Sequence, residues 1–299
     1  KMAGIECIGK EIIPEMDELN TDIVRKAVFG ISTETVTAEK EAVVRPPTLC
    51  AGCPHRGFFY SLRKKRDIII TGDIGCYTLG SAAPLSAMDT CICMGGSISA
   101  GHGAAQALKK NGSDLKVVAV IGDSTFFHTG INSLMDVVYN KSNCVSVILD
   151  NRITGMTGHQ ENPGTGFTLM GDPATEGDIP MLCKAIGVKG DNMYIVNPLD
   201  LKETDAALTD ALSKDEPTVI IAKWPCILKK FSDKDKEEFD LSRKWCEIDQ
   251  EKCRKCKACV KTGCPAITSG DRITIDKEAC TGCSVCRQVC PFDAITEKF

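Results

Sequence analysis

Near the end of the chain the cysteines fall in two runs whose spacing leaves little freedom in what they can hold. Cys253, Cys256, Cys259 and Cys264-Pro265 read C-x2-C-x2-C-x4-C-P, and Cys280, Cys283, Cys286 and Cys290-Pro291 read C-x2-C-x2-C-x3-C-P. Three thiolates this close in sequence wrap one [4Fe-4S] cubane, and in the two-cluster form of the run the fourth cysteine ligates the other cluster. The expected sets are therefore Cys253, Cys256 and Cys259 with Cys290, and Cys280, Cys283 and Cys286 with Cys264. The segments Glu247 to Cys253 and Ile275 to Cys280 repeat at a period near 27 residues, an internal duplication. Zinc sites are the competing reading of C-x2-C pairs, but triplets with a proline-flanked fourth cysteine are not zinc spacing. The extra residue between Cys259 and Cys264 departs from the x3 rule and would make one cluster the more labile.

The chain has 299 residues, 43% of them hydrophobic and 25% charged, as in a globular protein. Its eighteen cysteines, with no basic-then-apolar leader, are expected to serve metals in a reducing, cytoplasmic setting rather than disulfides. No apolar run is long enough for a membrane span. A net charge of −4 without an aromatic and basic stripe argues against nucleic acid as a partner. The opening at Lys1 lacks a clear start, so an upstream segment is expected.

Residues 1–45 are polar apart from a short helix at Asp22 to Phe29 and read as a connector. From 46 to 228 apolar runs at Asp67 to Thr71, Val117 to Ile121, Val145 to Leu149 and Thr218 to Ala222 alternate with helical lengths. That order predicts an α/β fold, a parallel sheet with helices on both faces and ligands at the carboxyl ends of its strands. Residues 229–245 are dominated by mixed charge and read as a linker. Residues 246–299 then form a small α+β domain of the bacterial two-cluster ferredoxin type.

Gly122-Asp123-Ser124 follows the second apolar run, and twenty-eight residues after Asp123 the third ends in Asp150-Asn151. This spacing resembles the G-D-x…N signature of thiamine diphosphate enzymes. Mg2+ takes oxygen ligands in near-octahedral geometry and bridges a diphosphate; the Asp123 carboxylate, the Asn151 amide oxygen and the Ile153 carbonyl would be the protein's share. Gly122 would let the backbone approach closely, and a helix opening at Ser124 and Thr125 would point N–H groups at phosphate. Thr154, Met156 and Thr157 belong to a glycine-rich loop, 153–160, that would close over the diphosphate. Met94, before Gly95-Gly96, stands where such enzymes prop thiamine in its bent form; a core methionine is the other reading. A G-D-S turn alone also caps helices, and it is the paired Asn151 that favours the metal.

Taken in order, Leu49 to Gly57 (LCAGCPHRG), Gly72 to Tyr77 (GDIGCY), Cys91 to Gly103, Gly122 to Thr125, Asn151 to Gln160 and the two-cluster tail resemble the 2-oxoacid:ferredoxin oxidoreductases, most closely those acting on indolepyruvate. The resemblance covers residues 46–299. It implies a third [4Fe-4S] cluster on Cys50, Cys53, Cys76 and Cys226; a redox C-x-x-C or four unrelated buried thiols are the alternatives. Cys7, Cys91, Cys93, Cys144, Cys183 and Cys246 are left without a role and read mostly as small apolar fillers. His55, Arg56, His102, His128 and His159 are polar candidates near the cofactor, with His55 and His159 preferred because they sit in the motif loops.

The resemblance further implies thiamine-dependent oxidative decarboxylation of an arylpyruvate to an aryl-acetyl-CoA and CO2, with electrons leaving singly through the clusters to ferredoxin. No G-x-G-x-x-G opens a helix after a strand to offer a nicotinamide site. Pyruvate or another 2-oxoacid is the alternative substrate, and a non-oxidative decarboxylase or an electron-transfer module with a dead thiamine fold is the alternative class. The family's activating glutamate lies on a pyrimidine-binding domain that 45 residues cannot hold, so a second subunit or an upstream segment should supply it. Lys252, Arg254, Lys255, Lys257 and Lys261 surround the first triplet, either as a dock for an acidic electron carrier or as a solvated loop. Three cubanes predict about twelve irons per chain; iron analysis of anaerobically prepared protein returning about eight would remove the set on Cys50, Cys53, Cys76 and Cys226.

Overall fold

The computed structural model describes residues 4, 6–16, 18–32, 34, 44 and 46–299. They fall into two units, 1–46 and 47–299. In the first, α1 (Thr21–Phe29) begins where Asn20 Oδ1 accepts from Ile23 N at 3.0 Å and stops at Gly30, which is left-handed at φ 70°. None of its residues is buried.

In the second unit β1 (Ile68–Gly72), β2 (Thr90–Cys91), β3 (Lys116–Gly122), β4 (Val145–Asp150), β5 (Met193–Val196) and β6 (Thr218–Lys223) form one sheet, in the order β2-β1-β3-β4-β6-β5. Every pairing in it is parallel. The connections carry α2 (Pro54–Leu62) before β1, then α3 (Ser97–Lys110), α4 (Asp123–Thr125), α5 (Ile131–Tyr139), α6 (Ile179–Ile186) and α7 (Leu201–Ser213). Side chains alternate across each strand. Val118 and Val120 pack with Phe58, Phe59 and Leu62 of α2 and Leu208 of α7, while Val117, Ala119 and Ile121 pack with Ile98 of α3, Leu134 and Val137 of α5 and Cys183 of α6. Two apolar layers therefore seal the sheet, which is why its central strands read as unbroken apolar runs.

All four strands expected from those runs are present, each within a residue of the expected bounds. The two edge strands were not legible. β2 has only two residues, both exposed, and β5 buries one residue of four.

The charged stretch expected as a linker is packed. It carries α8 (Asp233–Glu238), capped where the Ser232 Oγ accepts from Asp235 N. Asp235 is fully buried; Lys229 Nζ stands 2.8 Å from its Oδ2 and Arg152 Nε 3.2 Å from its Oδ1, the second contact lacking hydrogen-bond alignment. Arg152, also buried, reaches Glu176 at 3.1 Å, and Phe239 stacks edge-on with Trp224 at 5.2 Å.

The tail folds as two antiparallel ribbons. β7 (Trp245–Ile248) pairs with β10 (Ile295–Lys298) and β8 (Ile267–Ser269) with β9 (Ile273–Ile275), while α9 (Val285–Gln288) carries Cys286, the last of the second triplet. The duplication is visible in the backbone. Asp249 N donates to Ala294 O and Cys253 N to Asp249 O; in the other half Asp276 N donates to Ala266 O and Cys280 N to Asp276 O. Each ribbon joins a strand of one half to a strand of the other. The tail rests on the sheet domain through Val285 against Leu199 and Leu201, and Gln288 exchanges hydrogen bonds with Leu201 N and Leu199 O at 2.9 and 2.7 Å.

Asp235→Ala leaves Arg152 and Lys229 short of a buried partner, and breaking such a pair costs on the order of 3 kcal/mol. The urea midpoint should fall accordingly, whereas the exposed Asp233→Ala should stay within about 0.5 kcal/mol of the parent.

Candidate active site

With both faces of the sheet covered, polar groups collect where β1, β3 and β4 end. Asp73, after β1, is fully buried; its Oδ1 accepts from Gly95 N at 2.8 Å and its Oδ2 from Ser97 N at 3.1 Å. It thereby fixes the turn that carries Met94 and starts α3. Gly95 is left-handed at φ 85°, and a Cβ there would meet the Thr129 side chain at 2.6 Å. Met94 is 49% exposed rather than part of a core.

Met94 lines a cavity of about 90 Å3 together with Gly122, Asp123, Ser124 and Thr125 from the end of β3, and Asn151, Ile153, Thr154, Met156 and Thr157 from the end of β4. Of the residues expected at the cofactor, Gly95 and Gly96 alone are not on its wall; they shape the backbone behind it. Besides Ile74, Gly75, Leu149 and Gly155 on that wall, the cofactor set read from the sequence left out two residues with polar side chains. Tyr77 lines the cavity, and Asn162 Nδ2 donates to Asp123 Oδ2 at 3.0 Å. A G-C-Y turn and a lone asparagine give no periodic or spacing signal.

The oxygens at this point fit a cation. As placed, the Asn151 amide oxygen stands 3.2 Å from Asp123 Oδ1 and 2.6 Å from the Ile153 carbonyl, acceptor facing acceptor. Neighbouring ligands of an octahedral Mg2+ stand about 3.0 Å apart, given bonds of about 2.1 Å. The reversed amide would donate to both oxygens instead. His55 bears on the choice, because its Nε2 lies 3.5 Å from Asn151 Nδ2 in the oxygen-inward orientation. Burial holds His55 down to about 4, so the ring is neutral, and its Nε2 accepts from Asn151 in the tautomer protonated at Nδ1. Burial also pushes the Asp123 carboxyl up to about 7, with the Asp150 charge adding to it. That is a carboxylate short of a counter-charge.

Beside this cavity stand Cys50, Cys53, Cys76 and Cys226. Burial pushes Cys53 up to about 12; the His55 N–H and the Arg56 charge pull it back, while Cys226 and Cys50 push it further. Cys76 and Cys226 are raised for the same first reason, and both feel the charge of Cys50. Thiols gathered this closely suit a group that binds them together as thiolates. A Cβ on Gly155 would lie 3.5 Å from Cys76 Sγ and 3.7 Å from Asn151 Nδ2, so a single glycine separates the thiol set from the oxygen nest. His159, left-handed at φ 61°, sets Nε2 3.8 Å from Cys226 Sγ. His102 instead pairs with Asp136 at 3.4 Å, and His128 bonds the neighbouring Thr129 hydroxyl.

The tail cysteines surround two further cavities. Cys253, Cys256, Cys259 and Cys290 line one, and Cys264, Cys280, Cys283 and Cys286 line the other. Both fourth cysteines thus stand with the triplet of the opposite half, and Cys259 feels Cys290 as Cys283 feels Cys264. Among the described residues no three His, Cys, Asp or Glu close on a single metal ion; the thiols ring voids instead. The extra residue before Cys264 is absorbed by a 3-10 turn, Val260–Thr262, closed by Gly263 at φ 72°. The Cys264 cavity is also walled by Ala51, Gly52 and Arg56, whereas the Cys253 cavity has walls from the tail alone. Gly52 is needed at that contact, since a Cβ would fall 1.9 Å from Thr281 Oγ1. Of the cysteines read as fillers, Cys144 and Cys183 are core residues, Cys246 joins the wall of the Cys264 cavity, and Cys7, Cys91 and Cys93 are exposed.

The C-terminal TPP-binding domain of the thiamine pyrophosphate enzymes matches residues 73–222, and a 4Fe-4S binding domain matches residues 273–296. The chain belongs to the thiamine pyrophosphate enzymes, with a ferredoxin-type domain fused after the TPP-binding domain. It is 39% identical to the indolepyruvate oxidoreductase subunit IorA of Pyrococcus horikoshii over 97% of this chain and 48% of that subunit. To the same subunit of Methanothermobacter thermautotrophicus it is 40% identical over 95% of this chain and 46% of that one. The chain spans about half the length of the curated relatives it matches. In fold it is similar to the 2-oxoglutarate:ferredoxin oxidoreductase of Magnetococcus marinus, with a TM-score of 0.54 and 17% identity over 65% of this chain and 70% of that one.

Asp123→Asn removes the only charge among the three inward oxygens. The Mg2+ requirement for thiamine diphosphate binding should rise at least tenfold, measured calorimetrically under anaerobic conditions; unchanged Mg2+ dependence would remove Asp123 from the metal site.

Proposed function

We propose that this chain holds the metal-diphosphate half of the active site and the electron path of an enzyme that oxidatively decarboxylates an arylpyruvate. The balanced reaction takes one 2-oxoacid anion, one coenzyme A and two oxidised ferredoxins to acyl-CoA, CO2, two reduced ferredoxins and one proton. Bound thiamine diphosphate would supply the decarboxylation, and the clusters would accept its two electrons one at a time. The observation that carries this reading is the single glycine, Gly155, between the oxygen nest and the first thiol set. A non-oxidative thiamine enzyme has no use for a one-electron acceptor so close to its cofactor.

In this reading Asp123, Asn151 and Ile153 hold Mg2+, Ser124 and Thr125 face the diphosphate, and Met94 supports the bend of the thiamine. His55 keeps the Asn151 oxygen turned to the metal. Electrons enter at the Cys50, Cys53, Cys76 and Cys226 cluster, pass to the Cys264, Cys280, Cys283 and Cys286 cluster across the Gly52–Thr281 contact, and leave from the Cys253, Cys256, Cys259 and Cys290 cluster. Cys256 is exposed there, and Arg254, Lys255 and Lys257 beside it suit an acidic ferredoxin. A cavity of about 90 Å3 is small beside cofactor pockets of about 300 Å3 and more. A pyrimidine-binding domain bearing the activating glutamate would complete it, from a partner subunit or the rest of a longer chain.

The choice of an arylpyruvate rests on the similarity to IorA. The deciding experiment assembles the chain with its missing half and follows ferredoxin reduction anaerobically with coenzyme A and indolepyruvate, pyruvate or 2-oxoglutarate. Indolepyruvate should show at least tenfold the kcat/KM of the others. Preference for another 2-oxoacid corrects the substrate, and no reduction with any of them sinks the oxidoreductase reading.

A further inference from the structure

Arg56, on α2, is 1% exposed. A guanidinium keeps its proton throughout the range a protein meets, so a full positive charge is buried at this point. Its acceptors are neutral. Nη1 donates to Thr262 O at 2.9 Å, Nη2 donates to Leu49 O and, at 3.0 Å, to Cys50 O, and Nε has no partner. Ion pairs among the described residues engage Arg152, Arg243 and Arg287 but not Arg56. The contrast with Arg152 is direct: that residue is as deeply buried and is met by Glu176, Asp235 and Glu238. Three carbonyls do not replace a counter-ion, and a buried charge without one is costly.

The anions that would match it are the proposed clusters. The carbonyls of Leu49 and Cys50 belong to the loop of the first thiol set. That of Thr262 belongs to the turn that absorbs the extra residue before Cys264. Arg56 also lines the cavity of the Cys264 set. Arg56 therefore stands between the first two cluster sites and holds both loops. Four thiolates leave a [4Fe-4S] unit net negative, and reduction adds one negative charge, so nearby charge shifts its potential.

We propose that Arg56 is the shared counter-charge of these two clusters, a fixed cation that makes both easier to reduce and lowers the electrostatic cost of passing an electron between them. In each transfer the first cluster is oxidised by one electron and the second reduced by one; no bond changes and no proton moves, because Arg56 stays protonated. Arg56 is not on the wall of the Cys253 cavity, so the third cluster should feel its charge less. The inference rests on the three-cluster reading above.

The test is a redox titration of the whole chain followed by EPR, with iron analysis alongside, on the parent and on Arg56→Lys, Arg56→Met and Arg56→Gln. In the neutral variants two of the three midpoint potentials should fall, each by at least the equivalent of a tenfold shift in the oxidised-to-reduced ratio, which is 59 mV for one electron. The third should hold, and Arg56→Lys should stay closer to the parent than either neutral variant. Cluster assembly with Lys but with neither neutral residue would support the same role. Unchanged potentials in a neutral variant with full iron, an equal fall in Arg56→Lys, or failure of all three variants to hold iron would each overturn the proposal and leave Arg56 a hydrogen-bonding staple. A parent with about eight irons would instead overturn the three-cluster reading on which it stands.

Discussion

Both faces of the six-stranded sheet are sealed by apolar side chains, so Asp73, Asp123 and Asn151 can stand only where the strands run out. That constraint orders the rest of the unit. Three consecutive strand ends, of β1, β3 and β4, put their polar residues on one rim, and the loops that follow must satisfy them there. Asp73 does so for the Met94 turn, and Asn162 does so for Asp123. The first thiol set shares the rim because Cys76 follows β1 and Cys226 follows β6, both at carboxyl ends.

The sequence was most legible where one physical rule acts alone. Unbroken apolar runs become central parallel strands, and tight cysteine spacing becomes two rings of thiols, with Cys264 and Cys290 exchanged between the two cavities. It was least legible where tertiary contact decides. β2 and β5 are edge strands with little burial to print a pattern. Residues 229–245 are charged enough to suggest solvent, yet Asp235 is buried because Arg152 and Lys229, from distant and adjacent sequence, meet it. Arg56 and Asn162 carry no spacing signal at all. Thr262, one of the acceptors of Arg56, lies 206 residues away and Asp123 lies 39 from Asn162, and only folding brings these pairs together.

Charge at the core of this unit is handled in three ways. Arg152 is neutralised by carboxylates, which ties the loop after Asn151 to α8. Asp123 is left partly unmatched beside two more oxygens, an arrangement a divalent cation relieves. Arg56 is left with carbonyls between two rings of thiols. The last two are expensive without their counterparts, a cost that the proposed metal and clusters would relieve.

The exchange of fourth cysteines between the halves of the tail bears on biogenesis. A chain in which each half closed its own cubane could load one half while the other was still unfolded. Here Cys264 stands with the second triplet and Cys290 with the first, and each β ribbon pairs a strand of one half with a strand of the other. Neither cavity is complete until both halves have been made and joined. On the proposed ligand sets, loading would be cooperative: a half-built tail would offer a delivery scaffold only three thiols at either site.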